Sequence, residues 1–154
     1  MVKQLAQLSA AEAELVLKAP ALVSVLIAGA DSKIDKEEQH HAVEVVKLKS
    51  SRASEDLIDY FKEISGGFEK VLKDLISSLP SGTAERNKYL VAELSKLNAV
   101  LPKLEYRFAI QLHDTLKDFA KQVAETSGGF LGYNTISKEE KEFIDLNMIN
   151  RPEH

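Results

Sequence analysis

The sequence contains no cysteine, and this absence excludes disulfide bonds, thiolate catalysis and zinc sites with thiolate ligands. The chain also lacks a basic cluster and carries a formal net charge of −4 at pH 7, so we expect no nucleic-acid partner. Its longest apolar run covers only residues 20–30, whereas a helix needs about 20 residues to span a membrane. We therefore expect a soluble protein with no membrane span.

No stretch of the chain alternates between apolar and polar residues with a period of two, which argues against β-strands. Apolar residues instead recur at three- and four-residue steps between short segments that contain glycine or proline. With 154 residues, 29% of them charged and 44% hydrophobic, the composition is that of one globular domain. These patterns predict an all-α fold, a compact bundle of about seven or eight helices over residues 1–150. A frayed tail is expected at 151–154.

Capping residues and prolines predict the helix boundaries. Residues 9–12, with the sequence Ser-Ala-Ala-Glu, have the form of a capping box. The helix that starts there is expected to break before Pro20, where a second, buried helix begins and continues to about Ala30. Asp35 is expected to be the N-cap of the next helix. The remaining helices are predicted over residues 35–50, 54–64, 68–79, 83–101, 102–127 and after Ser137.

The stretch from residue 20 to residue 41 contains the most informative feature of the sequence. Its first part, residues 20–30, has one polar residue and no charge, so the helix it forms is expected to lie inside the bundle. The acidic turn Asp31-Ser32-Lys33-Ile34-Asp35 follows directly, and a charged helix starts after it. Two carboxylates and an acidic helix start are thus brought to one place, which indicates a binding site but no particular reaction.

Glu38 is predicted to project within about 60° of the apolar stripe of its helix, whereas Glu37, His40 and Glu44 project toward solvent. Glu140 has the matching inward position in the last helix. Since burying an unpaired carboxylate costs several kcal/mol, both side chains need partners. Two interpretations remain open, and they differ in the partner. In one, Asp31, Glu38 and Glu140, with or without Asp35, converge on Ca²⁺ or Mg²⁺. In the other, Asp35 and Ser137 are helix caps, and the two glutamates accept from backbone N–H groups.

A weak internal repeat links these two regions. Residues 34–38, Ile-Asp-Lys-Glu-Glu, and residues 136–140, Ile-Ser-Lys-Glu-Glu, share a loop isoleucine, a capping residue and a Lys-Glu-Glu start. Each segment follows a turn. Coincident capping boxes and an internal duplication explain the similarity about equally well.

Residues 28–38, Ala-Gly-Ala-Asp-Ser-Lys-Ile-Asp-Lys-Glu-Glu, resemble the motif of the TerB-like, tellurite-resistance family. That motif is an alanine-Asp-Gly-x-Ile element followed by Glu, and it is placed after a buried apolar helix. The resemblance covers roughly residues 10–148, with a weaker counterpart at 132–140. It implies a compact, pseudo-symmetric helical fold in which acidic residues of both elements bind metal. The chain departs from the family pattern at Ser32, which replaces Gly, and at 133–134, where Tyr-Asn replaces Asp-Gly. The metal-binding residues that the resemblance implies are Asp31, Asp35, Glu38 and Glu140.

Other chemistry fits the sequence less well. An EF-hand loop that begins in the acidic turn would need Gly at Lys36 and a bidentate Glu at Ala42. Residues 38–41, Glu-Gln-His-His, have the Glu-x-x-His spacing of di-iron carboxylate proteins, but the chain has no second copy of that motif. His113 and Asp114 are not expected to form an acid–base pair, because sequence neighbours in a helix do not face each other.

The sequence therefore predicts a non-enzymatic, cytoplasmic module of stress response that binds a divalent cation and a protein partner of unknown identity. Ala28-Gly29-Ala30 resembles a signal-peptidase site, but the residues before it lack a positively charged start. A homodimer formed through the long helix is left open. The alternatives are a metal-free helical interaction module, in which the acidic residues are only caps, and a di-metal carboxylate enzyme.

Overall fold

The computed structural model describes residues 2–29, 36–127 and 143–153, and every regular element in these ranges is helical. The prediction of an all-α bundle is confirmed. None of the helices in the described ranges is long and apolar enough to cross a membrane. The α-helices are α1 (Ala10–Ala28), α2 (Lys36–Arg52), α3 (Ile58–Ser65), α4 (Phe68–Ser78), α5 (Thr83–Ser95), the single turn α6 (Leu97–Val100) and α7 (Tyr106–Ser127). Two 3-10 turns, Lys3–Leu5 and Leu101–Lys103, precede α1 and α7.

Helix α1 is continuous through Pro20, so the predicted break before that proline is wrong. Proline has no N–H, and the Val16 carbonyl therefore lacks its usual helical donor four residues later. The buried Tyr60 hydroxyl takes the place of that donor and donates to Val16 O at 2.8 Å. The Ser24 hydroxyl donates to Pro20 O at 2.8 Å, which satisfies the one polar side chain of this buried segment. The hydrogen bond from Tyr60 of α3 thus accompanies a single continuous helix, whereas the local sequence predicted two helices that meet at Pro20.

The start of α1 follows the predicted capping box. The Ser9 hydroxyl accepts from the Glu12 backbone N–H at 3.1 Å, and a Glu12 carboxylate oxygen accepts from the Ser9 N–H at 2.9 Å. From Ala19 to Ala28 every residue of the helix is buried. Helix α1 packs against α3, α4, α5, α6 and α7, so the prediction of a buried helix at the centre of the bundle is confirmed.

Helix α7 covers α1 and α2 with a continuous apolar stripe. The stripe has the predicted three- and four-residue spacing, and its residues are all buried: Phe108, Leu112, Leu116, Phe119 and Val123. The helix begins at Tyr106, whereas the sequence predicted a start at Pro102. The reason is that Pro102 lies in a 3-10 turn and Leu104 is extended, with ψ of 157°, so the chain changes direction before α7.

Candidate cation site

Most of the predicted site residues lie outside the described residues. These are Asp31 and Asp35 in the first acidic turn and Glu140 in the second element. Glu38 is described and lies in the first turn of α2, with its side chain partly buried. The predicted orientation of this helix is confirmed, because Glu37, His40 and Glu44 are exposed while Ala42, Val45 and Val46 are buried. Whether the four carboxylates converge stays a prediction.

Helices α2 and α7 run in opposite directions. Lys49 Nζ, near the end of α2, lies 2.6 Å from Asp118 Oδ2. Arg107 Nε, in the first turn of α7, lies 2.9 Å from Asp56 Oδ2, just beyond the end of α2. At 1.5 Å per residue, the first turn of α2 lies about 20 Å before Lys49, and the last turn of α7 lies about 13 Å beyond Asp118. The start of α2 and the end of α7 therefore lie at the same end of the bundle.

Helix α1 also ends there. The Lys103 ammonium, just before α7, forms an ion pair with Glu12 in the first turn of α1, and the two helices pack along each other. Because α1 and α7 start together, Ala28 at the end of α1 lies toward the same end as Ser127 at the end of α7. In the sequence, the two predicted acidic elements follow α1 and α7 directly. The described residues Gly29, Lys36 and Ser127, which border the two elements, consequently lie toward one end of the bundle.

A buried arginine lies where the chain enters the first acidic element. The Arg86 guanidinium, only 5% exposed, donates to the carbonyl of Gly29, the C-cap of α1. A cation is favourable at this position, because the C-terminal end of a helix carries a partial negative charge and the hydrogen bond is charge-assisted. A Cβ on Gly29 would lie 2.9 Å from Arg86 Nη2 and 2.9 Å from Val25 O. Glycine is therefore needed for the arginine to approach so closely.

Sequence reasoning missed Arg86, although the sequence contains a signal for it. Arg86 precedes Leu90 by one helical turn, and Leu90 and Leu94 form the inward stripe of α5. The neighbouring Asn87 is buried as well. An arginine on an apolar stripe indicates either a side chain that reaches solvent or a buried cation with partners, and the sequence could not decide between them.

His41 is a second candidate ligand near Glu38. It lies three residues after Glu38, so the two side chains project from neighbouring positions on α2. Its side chain is partly buried, and its Nδ1 atom is buried without a hydrogen-bond partner in the described structure. A carboxylate such as that of Glu38 is a ligand for hard cations, and an imidazole such as that of His41 is a ligand for transition metals. Within the described residues, however, no group of three or more His, Asp and Glu side chains could hold an ion.

The side chains of His113 and Asp114 contact each other, contrary to the expectation that these sequence neighbours do not face each other. His113 Nδ1 lies 3.0 Å from Asp114 Oδ1, and the Arg151 guanidinium contacts both oxygens of the same carboxylate at 3.2 and 3.0 Å. The hydrogen bond from Arg151 holds the pKa of Asp114 below its usual value, with a smaller contribution from His113. His113 itself is buried, as expected for a packing residue. This cluster joins the C-terminal residues to α7.

Comparison with known proteins found no match: no protein-family model, no curated protein and no solved structure matches this chain. The resemblance to TerB-like domains thus depends on residues 28–38 and on their weaker counterpart alone.

Proposed function

We propose that this protein is a non-enzymatic, TerB-like module of the stress-response, tellurite-resistance type. In this proposal it acts in the cytoplasm, binds Ca²⁺ or Mg²⁺ through the acidic turns at two helix N-termini, and serves as a scaffold for a protein partner. The residues proposed to hold the cation are Asp31, Asp35, Glu38 and Glu140, all of which supply oxygen ligands.

The observation that carries the proposal is the arrangement of α1, α2 and α7. The end of α1, the start of α2 and the end of α7, which border the two acidic elements, lie toward one end of the bundle. A cation there would be held by oxygen ligands from two parts of the chain that are distant in sequence. Its binding would neutralise clustered carboxylates and hold the two elements in one arrangement, which sets the surface offered to a partner.

A thermal melt of chelator-treated protein tests the cation directly, with Ca²⁺, Mg²⁺, Mn²⁺ and Zn²⁺ added separately. A ligand present at 100 times its Kd stabilises the native state by about 2.7 kcal/mol. For a chain of this length that corresponds to an increase in Tm of about 5–10 °C. We expect one ion to produce this increase, and we expect Glu38→Gln and Asp31→Asn to abolish it.

Glu37→Gln is the matched control, since it makes the same chemical change one residue away on an exposed side chain. It should leave the ion-dependent increase in Tm unchanged. If no ion changes the Tm at about millimolar concentration, the protein does not bind a divalent cation and this part of the proposal fails. An equal loss in Glu37→Gln and Glu38→Gln would assign the effect to general surface charge.

The second candidate is a metal-free interaction module in which the acidic residues only cap helices. The buried Arg86 favours it, because this side chain already places a positive charge where the chain enters the first acidic element. In that case Glu38→Ala and Glu140→Ala should each cost about 1 kcal/mol, the usual loss for a capping contact. Neither substitution would change the response to any ion.

A further inference from the structure

We propose that the groove between α1 and α4 binds a basic amphipathic helix of a partner protein. The inference rests on the scaffold part of the proposed function and does not depend on the cation. The groove has a volume of about 680 Å³. Apolar residues from α1, α3 and α4 line it: Leu17, Ala21, Ile64, Phe68, Val71 and Leu75.

The groove exists because α1 has small side chains on this face. Ala10, Ala13, Leu17 and Ala21 follow one another at three- and four-residue steps, and three of the four are alanine. This face extends for about 16 Å along the helix, which is the length of three helical turns. Val71, on the opposite wall, is 39% exposed although it is apolar. A partner helix could therefore lie in the groove and cover Val71 with its own apolar stripe.

The charges at the edge of the groove determine what kind of helix fits. Glu14, Glu63 and Asp74 lie there against a single cation, Lys18. Neither Glu14 nor Glu63 forms an ion pair with a described residue. The Asp74 pair with Lys70, at 2.6 Å, is between two exposed side chains and is weak. An apolar stripe with lysine or arginine on both sides would complement this acidic edge.

The groove on the other side of α4 has the opposite charge. It lies between α2 and α4, and its charged residues are Lys36, Lys47, Lys73 and Glu69. Glu69 is paired with Lys73 at 3.1 Å, and Lys47 is paired with Glu44 of α2 at 3.7 Å, in both cases between exposed side chains. A basic helix is therefore attracted to the groove between α1 and α4 and repelled from the groove between α2 and α4. The charges thus determine which of the two grooves such a helix binds.

A second copy of the chain fits the groove less well than a separate partner. In a second copy, the described segment with an apolar residue between two lysines is on α2, where Leu48 is 42% exposed and lies between Lys47 and Lys49. However, the other lysine, Lys49, is paired with Asp118 of its own chain at 2.6 Å. It is therefore not available to a neighbouring acidic edge.

The test uses a labelled synthetic helix of about 14 residues, four turns long, with a leucine stripe flanked by lysines. Its fluorescence anisotropy is followed as the full-length protein is added at low ionic strength, where surface charges are least screened. We expect micromolar binding, and we expect the same peptide with glutamate in place of every lysine to bind at least tenfold more weakly. Val71→Asn should weaken binding of the lysine peptide about fivefold to tenfold, a loss of one apolar contact. Glu14→Gln combined with Glu63→Gln should weaken it similarly and reduce its salt dependence.

Two control variants change the same chemistry outside the groove. Leu48→Asn replaces an equally exposed apolar residue on α2, and Glu55→Gln neutralises an exposed carboxylate before α3. Both should bind the lysine peptide as the unmodified protein does. Circular dichroism melts of all variants verify that they are folded, because these exposed positions should change stability little.

Three results would overturn the inference: no binding of the lysine peptide, equal binding of both peptides, or equal losses in the groove and control variants. Sedimentation of the protein alone tests the other possible occupant of the groove, a second copy of this chain. A dimer that Val71→Asn dissociates would assign the groove to a second copy and not to a partner. The titration is run with and without chelator, so a failure of the cation proposal and a failure of this one are separate outcomes.

Discussion

Replacing Tyr60 with phenylalanine removes one hydroxyl and leaves the aromatic ring in place. The hydroxyl is fully buried and donates to Val16 O at 2.8 Å. The N–H that usually bonds to this carbonyl is missing, because residue 20 is proline. We therefore expect Tyr60→Phe to leave a buried carbonyl without its donor in the middle of the central helix.

The cost of such a loss is about 1–3 kcal/mol, the range for a buried polar group that loses its hydrogen bond. At about 2–4 °C per kcal/mol for a chain of this length, the Tm should fall by several degrees. The ring contacts of Tyr60 with Phe61 and Phe108, at centroid distances of 5.2 and 6.4 Å, remain possible for phenylalanine. The effect can thus be assigned to the hydroxyl.

A double-mutant cycle with Pro20→Ala tests the cause. Alanine restores the backbone N–H, which can bond to Val16 O in the ordinary helical manner. In the Pro20→Ala background, Tyr60→Phe should cost at least 0.5 kcal/mol less, within the range of about 0.5–3 kcal/mol that contacting residues show. Urea unfolding of the four proteins measures the free energies. If Tyr60→Phe costs the same in both backgrounds, the hydroxyl does not compensate for the proline and our explanation of the continuous helix is refuted.

Two further predictions follow from buried groups. Gly29→Ala should destabilise the protein by about 1–3 kcal/mol, since the new Cβ would crowd the Arg86 guanidinium and Val25 O. Gly67→Ala is the control, because no described atom lies within 4 Å of a Cβ there, and equal losses in urea unfolding would contradict this reasoning. Burial raises the pKa of Tyr60, whereas an unfolded tyrosine ionises near pH 10. The stabilisation linked to this phenol is fully present below about pH 10. It decreases as the pH rises above that value, because the unfolded chain then binds fewer protons than the folded protein. Tyr60→Phe should make the alkaline decline in unfolding free energy shallower, and an unchanged slope would refute the assignment.

The features predicted correctly are those that depend on neighbours within one or two helical turns. The Ser9 capping box, the apolar stripe of α7 and the orientation of α2 all follow from contacts three or four residues apart. The burial of residues 20–28 could also be predicted from their apolar composition, because a helix without a polar face has no preference for solvent. For the same reason the all-α class could be inferred without knowledge of the packing.

The candidate site could be inferred only in part. The position of Glu38 on α2 and that of His41 one turn later followed from helical periodicity, and the structure adds that the Nδ1 atom of His41 is buried. The convergence of Asp31, Asp35 and Glu140 depends on residues outside the described ranges, so the cation site stays a prediction. Arg86 was not predicted, because burial of a charged side chain depends on the partners that reach it and not on its own neighbours in sequence.

By itself, the sequence determined the helical class, the start of α1 at the Ser9 cap and the burial of residues 20–28, because local hydrogen bonds and hydrophobic periodicity decide these features. Only the tertiary structure decided that α1 continues through Pro20, since the replacement donor comes from Tyr60, 44 residues further along the chain. Tertiary structure likewise decided that Arg86 approaches Gly29, and that the grooves beside α4 differ in charge. These features require side chains that are distant in sequence to meet, and helical periodicity does not encode such meetings.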